Sequence, residues 1–137
     1  MNNPVYKGCM ILAAAIACAN LAQAEVVVIV NPKSAAGSLT AAQVADIFLG
    51  KDTSYTPFDL PSSSASRGEF YTKVAGKDEA QVKAVWARLV FTGKSQPPKE
   101  LGSSAEVVKQ VAAGEKAIGY VEKGAVDSSV KAVLTIN

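Results

Sequence analysis

Four serines and an arginine stand within six residues, Ser62-Ser63-Ser64-Ala65-Ser66-Arg67, between Pro61 and Gly68-Glu69-Phe70. These residue types, at the start of a helix, could hold a small oxyanion. Backbone N–H groups at a helix start point outward and carry partial positive charge. Hydroxyls add donors, and a guanidinium adds a two-pronged, charge-assisted one. The same residues support a plainer reading, a polar loop ending in a helix cap. Ser66 is then the N-cap, Glu69 its capping-box partner, and Arg67 a solvated side chain. Glu69 sets the two readings against each other, because its carboxylate would compete with a bound anion for the positive end of the helix. The local sequence leaves both open.

Most other chemistry is excluded by what the chain lacks. There is no histidine, so neither a Ser-His-Asp triad nor a His-ligated metal site can be built. No serine has a lysine at a recognisable spacing for a hydrolase. Gly93-Lys94-Ser95 ends like a phosphate-binding loop of the Walker type, but the glycine required five positions earlier is Arg88. Asp46, Asp52 and Asp59 form no acid pair and are expected at the solvated surface. Trp86, Phe48, Phe70, Tyr71, Phe91 and Tyr120 could form a stacking surface. Those at helical spacing with valines and leucines are expected in the core instead. A formal charge of +2 over 137 residues gives no support to a nucleic-acid or membrane-surface partner.

These residues need elements to position them. The first stretch reads as an address. Lys7 precedes an apolar run from Gly8 to Ala19, and Ala22-Gln23-Ala24 is a small-residue cleavage site. Together they predict a secretory signal peptide over residues 1–24, too short to be a membrane span. Ala15-Ile16-Ala17-Cys18 is a looser alternative, a lipoprotein box with alanine where leucine is usual. Cleavage after Ala24 leaves residues 25–137 as a single domain and removes Cys9 and Cys18, hence any disulfide. No membrane insertion is then expected.

Val26 to Val30 is a continuous apolar, β-branched run that suits a strand buried on both faces. Thr40-Ala41-Ala42-Gln43 is a capping box opening a helix with Val44, Ile47 and Phe48 inside and Gly50 as its left-handed end. Phe58 to Leu60 reads as a short strand. Ser66 opens a second helix carrying Phe70, Tyr71 and Val74, closed by Gly76. Asp78-Glu79-Ala80-Gln81 opens a third with Val82, Val85, Trp86 and Leu89, closed by Gly93. Pro97-Pro98 prevents continuation. Ser103 to Glu106 starts a fourth helix with Val107, Val108 and Val111. Ala117 to Val121 and Val130 to Ile136 read as strands, and Gly119 implies close approach by another element. Strands alternating with helices predict an α/β layer with a mostly parallel sheet.

Three segments in order resemble the phosphate-binding proteins of bacterial phosphate ABC importers. Ser38-Leu39-Thr40 through Asp46-Ile47-Phe48-Leu49-Gly50-Lys51 is similar to the family's "L-t-…-I-F-l-G-k" segment. Ser64-Ala65-Ser66-Arg67 lies where the family has its Ser-Gly-Thr phosphate loop. Ala117-Ile118-Gly119-Tyr120-Val121-Glu122 is similar to its "a-I-G-Y-v-e" strand. The resemblance spans nearly all of residues 25–137 and implies one lobe, the second, of the type II periplasmic-binding-protein fold, in three layers with helices on both faces. It implies a periplasmic, non-enzymatic protein without a cofactor, binding phosphate or a similar oxyanion. The ligands would be Ser64, Ser66, Arg67 and Gly68, with backbone N–H groups of Arg67 and Gly68 facing the anion and Ser38 as a neighbouring wall. The chain departs from the family in two ways. The Ser-Gly-Thr triplet is replaced by Ser64-Ala65-Ser66 with its arginine after the serines, and the lobe that would close the cleft is missing. The alternative is a ligand-free interaction module, working as a homo-oligomer or with a membrane transport or sensor partner.

Overall fold

The computed structural model describes residues 25–136. The predicted signal peptide and both cysteines lie outside them. Strand β1 (Val26–Val30) is buried at every position, as a β-branched run without polar alternation requires. Helix α1 (Ala41–Phe48), β2 (Thr56–Asp59), α2 (Ala65–Phe70), α3 (Glu79–Phe91), β3 (Lys99–Glu100), α4 (Ser104–Ala113), β4 (Ala117–Glu122) and β5 (Lys131–Ile136) follow. The strands form one sheet in the order β3-β2-β4-β1-β5. β2 pairs parallel with β3 and β4, whereas β1 runs antiparallel to β4 and β5. Four strands therefore share one direction and β1 alone opposes them. The sheet is mostly parallel in direction, as the α/β pattern predicts, with antiparallel pairing wherever β1 takes part.

The layers follow from alternation along β4. Successive strand residues face opposite sides of a sheet. Gly119 faces α4, where a Cβ on it would come 2.4 Å from Val107 Cγ1. Tyr120 faces the other way and stacks on Phe70, with ring centroids 3.9 Å apart. Helix α4 thus covers one face, and α1 and α2 cover the other. α3 lies outside α1 and is fastened by the Trp86 indole N–H, which donates to the Phe48 carbonyl at 3.1 Å. Gly50, at φ 82°, ends α1 under Trp86 and Leu89. Only glycine combines that left-handed geometry with so little room. Replacing Gly119 by alanine should lower stability by about 1–3 kcal/mol, because α4 must lift from the sheet to admit one methyl. Urea unfolding measures this, and an unchanged midpoint would contradict the close packing.

Capping was legible at three helices of four. Thr40 with Gln43, and Asp78 with Gln81, form complete capping boxes, and Ser103 accepts from the Glu106 N–H. The second helix corrects the expectation. It starts at Ala65 with Ser64 as N-cap, and the Ser64 side chain makes no capping bond. The Ser64 N–H donates to the Pro61 carbonyl and the Arg67 N–H to the Ser64 carbonyl, so Ser66 lies inside the first turn instead of ahead of it. Ser66 is buried inside the helix, and Glu69 pairs along it with Lys73 at 3.1 Å. Beyond Phe70 the helix widens into a π-type turn over Tyr71–Ala75. Strand β3 was not expected, since Pro97-Pro98 signalled only a stop. Phe91 is also a correction. It is 91% exposed at the end of α3, whereas Phe48, Phe70, Tyr71, Trp86 and Tyr120 are core.

Candidate functional site

β2 delivers the serine loop. Its last residue, Asp59, leads through Leu60 and Pro61 into Ser62, Ser63 and Ser64 and then into α2. Ser62 and Ser63 are exposed, Ser64 is half-buried and Gly68 is exposed. A Cβ on Gly68 would meet nothing within 4 Å. The first N–H groups of a helix have no partner inside it, and here they belong to Ala65 and Ser66. The loop therefore presents hydroxyls and helix-start N–H groups in one place, the donor set an oxyanion needs. The Arg67 N–H does not join them, being spent on the Ser64 carbonyl. Ser38 stands exposed ahead of α1, in a loop leaving the opposite end of β1 and tied to β5 by the Leu39 N–H on the Val133 carbonyl. Among the described residues no hydrogen bond joins Ser38 to the serines.

Arg67 is neither solvated nor turned to the loop's hydroxyls. Its residue is 7% exposed, and its guanidinium makes four hydrogen bonds. Nε and Nη2 donate to the two carboxylate oxygens of Glu79 at 3.1 and 3.3 Å. Nη1 donates to the Leu60 carbonyl at 2.9 Å and to Glu100 at 3.1 Å. Nη1 also lies 3.7 Å from Asp59, and the guanidinium sits 5.6 Å from the Tyr71 ring centre. The result is a brace. One side chain on α2 grips the backbone at the entry of its own loop, the start of α3 and the edge strand β3. A guanidinium suits this because its planar fork meets several acceptors at once.

Asp59 is the second surprise, buried at 2% exposure where a surface role was expected. Pairing of Pro57 with Ile118 sets Asp59 level with Tyr120, whose hydroxyl donates to its carboxylate. The Tyr71 hydroxyl donates to the same carboxylate at 2.6 Å, and the Leu60 N–H at 2.9 Å. Burial lifts the Asp59 carboxyl above the ordinary carboxylate range, against the hydrogen bonds of Tyr120 and Tyr71 and the charge of Arg67. Burial and the neighbouring Asp59 charge push both tyrosine hydroxyls far above the ordinary phenol range. Burial alone would lower Arg67, but Asp59 beside it holds the guanidinium charged.

An acid whose folded-state pKa is raised binds its proton more readily folded than unfolded. Its contribution to stability is complete below the unfolded value of 3.8 and is lost as pH rises through the folded value. Asp59→Asn should remove that component. Urea unfolding across acidic to neutral pH should show a flatter profile for the variant, and an identical slope in both proteins would contradict the assignment. Sequence reasoning missed Asp59, Tyr71, Tyr120, Glu79 and Glu100 as a group. The available signal was an aspartate set between Phe58 and Leu60 in an apolar run.

No family profile and no curated protein matches the sequence. Solved structures do. A Clostridium perfringens protein assigned as a phosphate ABC transporter substrate-binding protein, with phosphate bound, superposes with TM-score 0.65 at 23% identity. It covers 80% of this chain and 44% of its own. An ABC-type phosphate transport receptor from Vibrio cholerae gives 0.63 at 19%, over 80% and 45%. PstS from Borrelia burgdorferi gives 0.59 at 15%, over 80% and 46%. The chain has the fold of one lobe of these proteins. It spans less than half of their length, and at such identities the likeness is one of fold. Among the chain's described residues no helix is long and apolar enough to cross a membrane.

Proposed function

We propose that this lobe is a periplasmic, non-enzymatic oxyanion-binding protein, with phosphate as the favoured ligand, held at the loop from Ser62 to Gly68. Ser64 supplies the hydroxyl best set for the anion, because it makes no capping bond. Ser66 contributes through its backbone N–H and, at the buried end of the loop, its hydroxyl. Gly68 leaves the approach open, with no side chain on the exposed side of α2. Arg67 acts as the brace that fixes the loop between Leu60 and its own turn, and its charge is shared with three carboxylates. Ser38 is left out of the site.

The observation that carries this reading is the loop itself, serines running off the end of β2 into a helix start, on a fold that a phosphate-bound protein shares. One lobe by itself leaves the ligand wet, so the affinity of this lobe alone is weak. Calorimetry with phosphate tests it. The lobe should bind in the micromolar to millimolar range, and Ser64→Ala should weaken binding several-fold while leaving the unfolding midpoint unchanged. No heat with millimolar phosphate, for a folded sample, would overturn the reading.

A second reading, a ligand-free interaction module, is favoured by one observation. The charge of Arg67 is fully engaged inside the fold. Absence of phosphate binding together with a stable complex with a protein partner would establish it.

A further inference from the structure

A groove of about 340 Å³ runs between α3 and the segment from Pro97 to Glu100. Its walls are Val82, Trp86, Ala87, Val90, Pro97 and Pro98. Its floor is the buried Asp59, Arg67 and Tyr71, and Glu100 and Lys83 stand at its mouth. None of the loop's serines lines it. Beside it stand the two exposed large hydrophobics among the described residues, Val90 at 44% and Phe91 at 91%.

We propose that this groove receives Phe91 of a second copy of the chain, so that two lobes pair about a two-fold axis along α3. Plug and socket are neighbours on one helix, since Val90 lines the groove and Phe91 follows it. That adjacency is what a self-complementary patch needs, each copy giving what it receives. An aromatic anchor entering an apolar pocket is the usual energetic centre of an interface. Phe91 does not occupy its own groove, as its exposure shows. Ala84 and Ala87, both exposed on α3, put no bulk between the two helices.

Charge supports a second copy as the occupant. Exposed Arg88 and Lys94 flank Phe91 three residues to either side. At the surface around the groove the partly exposed carboxylates Glu79 and Glu100 stand against the exposed cation Lys83, while Asp59 and Arg67 are buried beneath them, leaving an acidic excess within a partner's reach. In a two-fold pair the cations beside each plug meet the carboxylates around the other socket, which also sets the register.

The chain carries its own probe, because Trp86, in the groove wall, is the one tryptophan. Sedimentation equilibrium of the purified chain from micromolar to millimolar concentration should show a monomer–dimer equilibrium. Trp86 emission should shift along the same curve as the incoming ring displaces water. Phe91→Asp should be monomeric throughout, with an unchanged unfolding midpoint because Phe91 makes no core contact. Phe91→Leu should retain pairing. A wild-type chain that stays monomeric, or a dimer that survives in Phe91→Asp, would overturn the proposal. Neither result bears on the serine loop, whose ligand is tested separately.

Discussion

Arg67→Met should lower the stability of the lobe by about 3–5 kcal/mol, the typical penalty for removing one partner of a buried ion pair. The effect arises mainly at Asp59. Glu79 and Glu100 have side chains 37% and 54% exposed and can turn to water, whereas the Asp59 side chain is 3% exposed and cannot. The Leu60 carbonyl also loses its donor at the mouth of the serine loop. Methionine fills similar volume, so the loss reports charge and hydrogen bonding more than a cavity. The double variant Arg67→Met/Asp59→Asn should recover part of it, since neighbours in one network are not additive. Arg67→Lys should recover little, because a point charge cannot grip Glu79 with two donors and Leu60 with a third. Chemical unfolding followed by circular dichroism gives these values. A loss under about 1 kcal/mol for Arg67→Met, the size seen for surface pairs, would mean that the brace is not structural.

Phe70→Ala should lose about 3–5 kcal/mol, in the range for a large aromatic removed from a closed core. Phe70 is fully buried and lies parallel to Tyr120 at 3.9 Å, with Phe48 at 4.8 Å and Tyr71 at 5.0 Å edge-on. These rings join the outer helices to the sheet. Removing one also frees Tyr120 and Tyr71, whose hydroxyls hold Asp59. The loss should therefore exceed that of an isolated cavity and couple to Asp59→Asn in a double-mutant cycle. Near-ultraviolet circular dichroism should lose much of its aromatic signal even where the helices persist. A variant within 1 kcal/mol of the wild type would show that the cluster is loosely packed, contrary to these ring geometries.

Which parts of this were legible in the sequence has a physical basis. β1 could be read because five apolar β-branched residues allow little but a doubly covered strand. Gly119 could be read as a close approach because a strand interior otherwise penalises glycine. The caps at Thr40, Asp78 and Ser103 are local, decided within four residues. The start of α2 is not local. The turn from Pro61 to Arg67 closes early because Arg67 must reach Asp59, Glu79 and Glu100, residues 8, 12 and 33 positions away. Sequence spacing cannot show such a meeting. For the same reason Asp59 resembled any surface aspartate until the register of β2 on β4 brought Tyr120 to it. Phe91 misled because helical spacing identifies a stripe without saying whether anything covers its end. The serines were legible as a donor cluster, whereas the arginine beside them, read as ligand or solvated side chain, is a buried brace.

Amide chemical shifts under phosphate titration locate where an oxyanion meets this lobe. With phosphate rising into the millimolar range, amides from Ser62 to Gly68 should move together along a saturating curve, while those around Ser38 and on α3 stay in place. A folded lobe in which no amide of that loop moves, or in which the saturating shifts lie elsewhere, would rule out the serine loop as the oxyanion site.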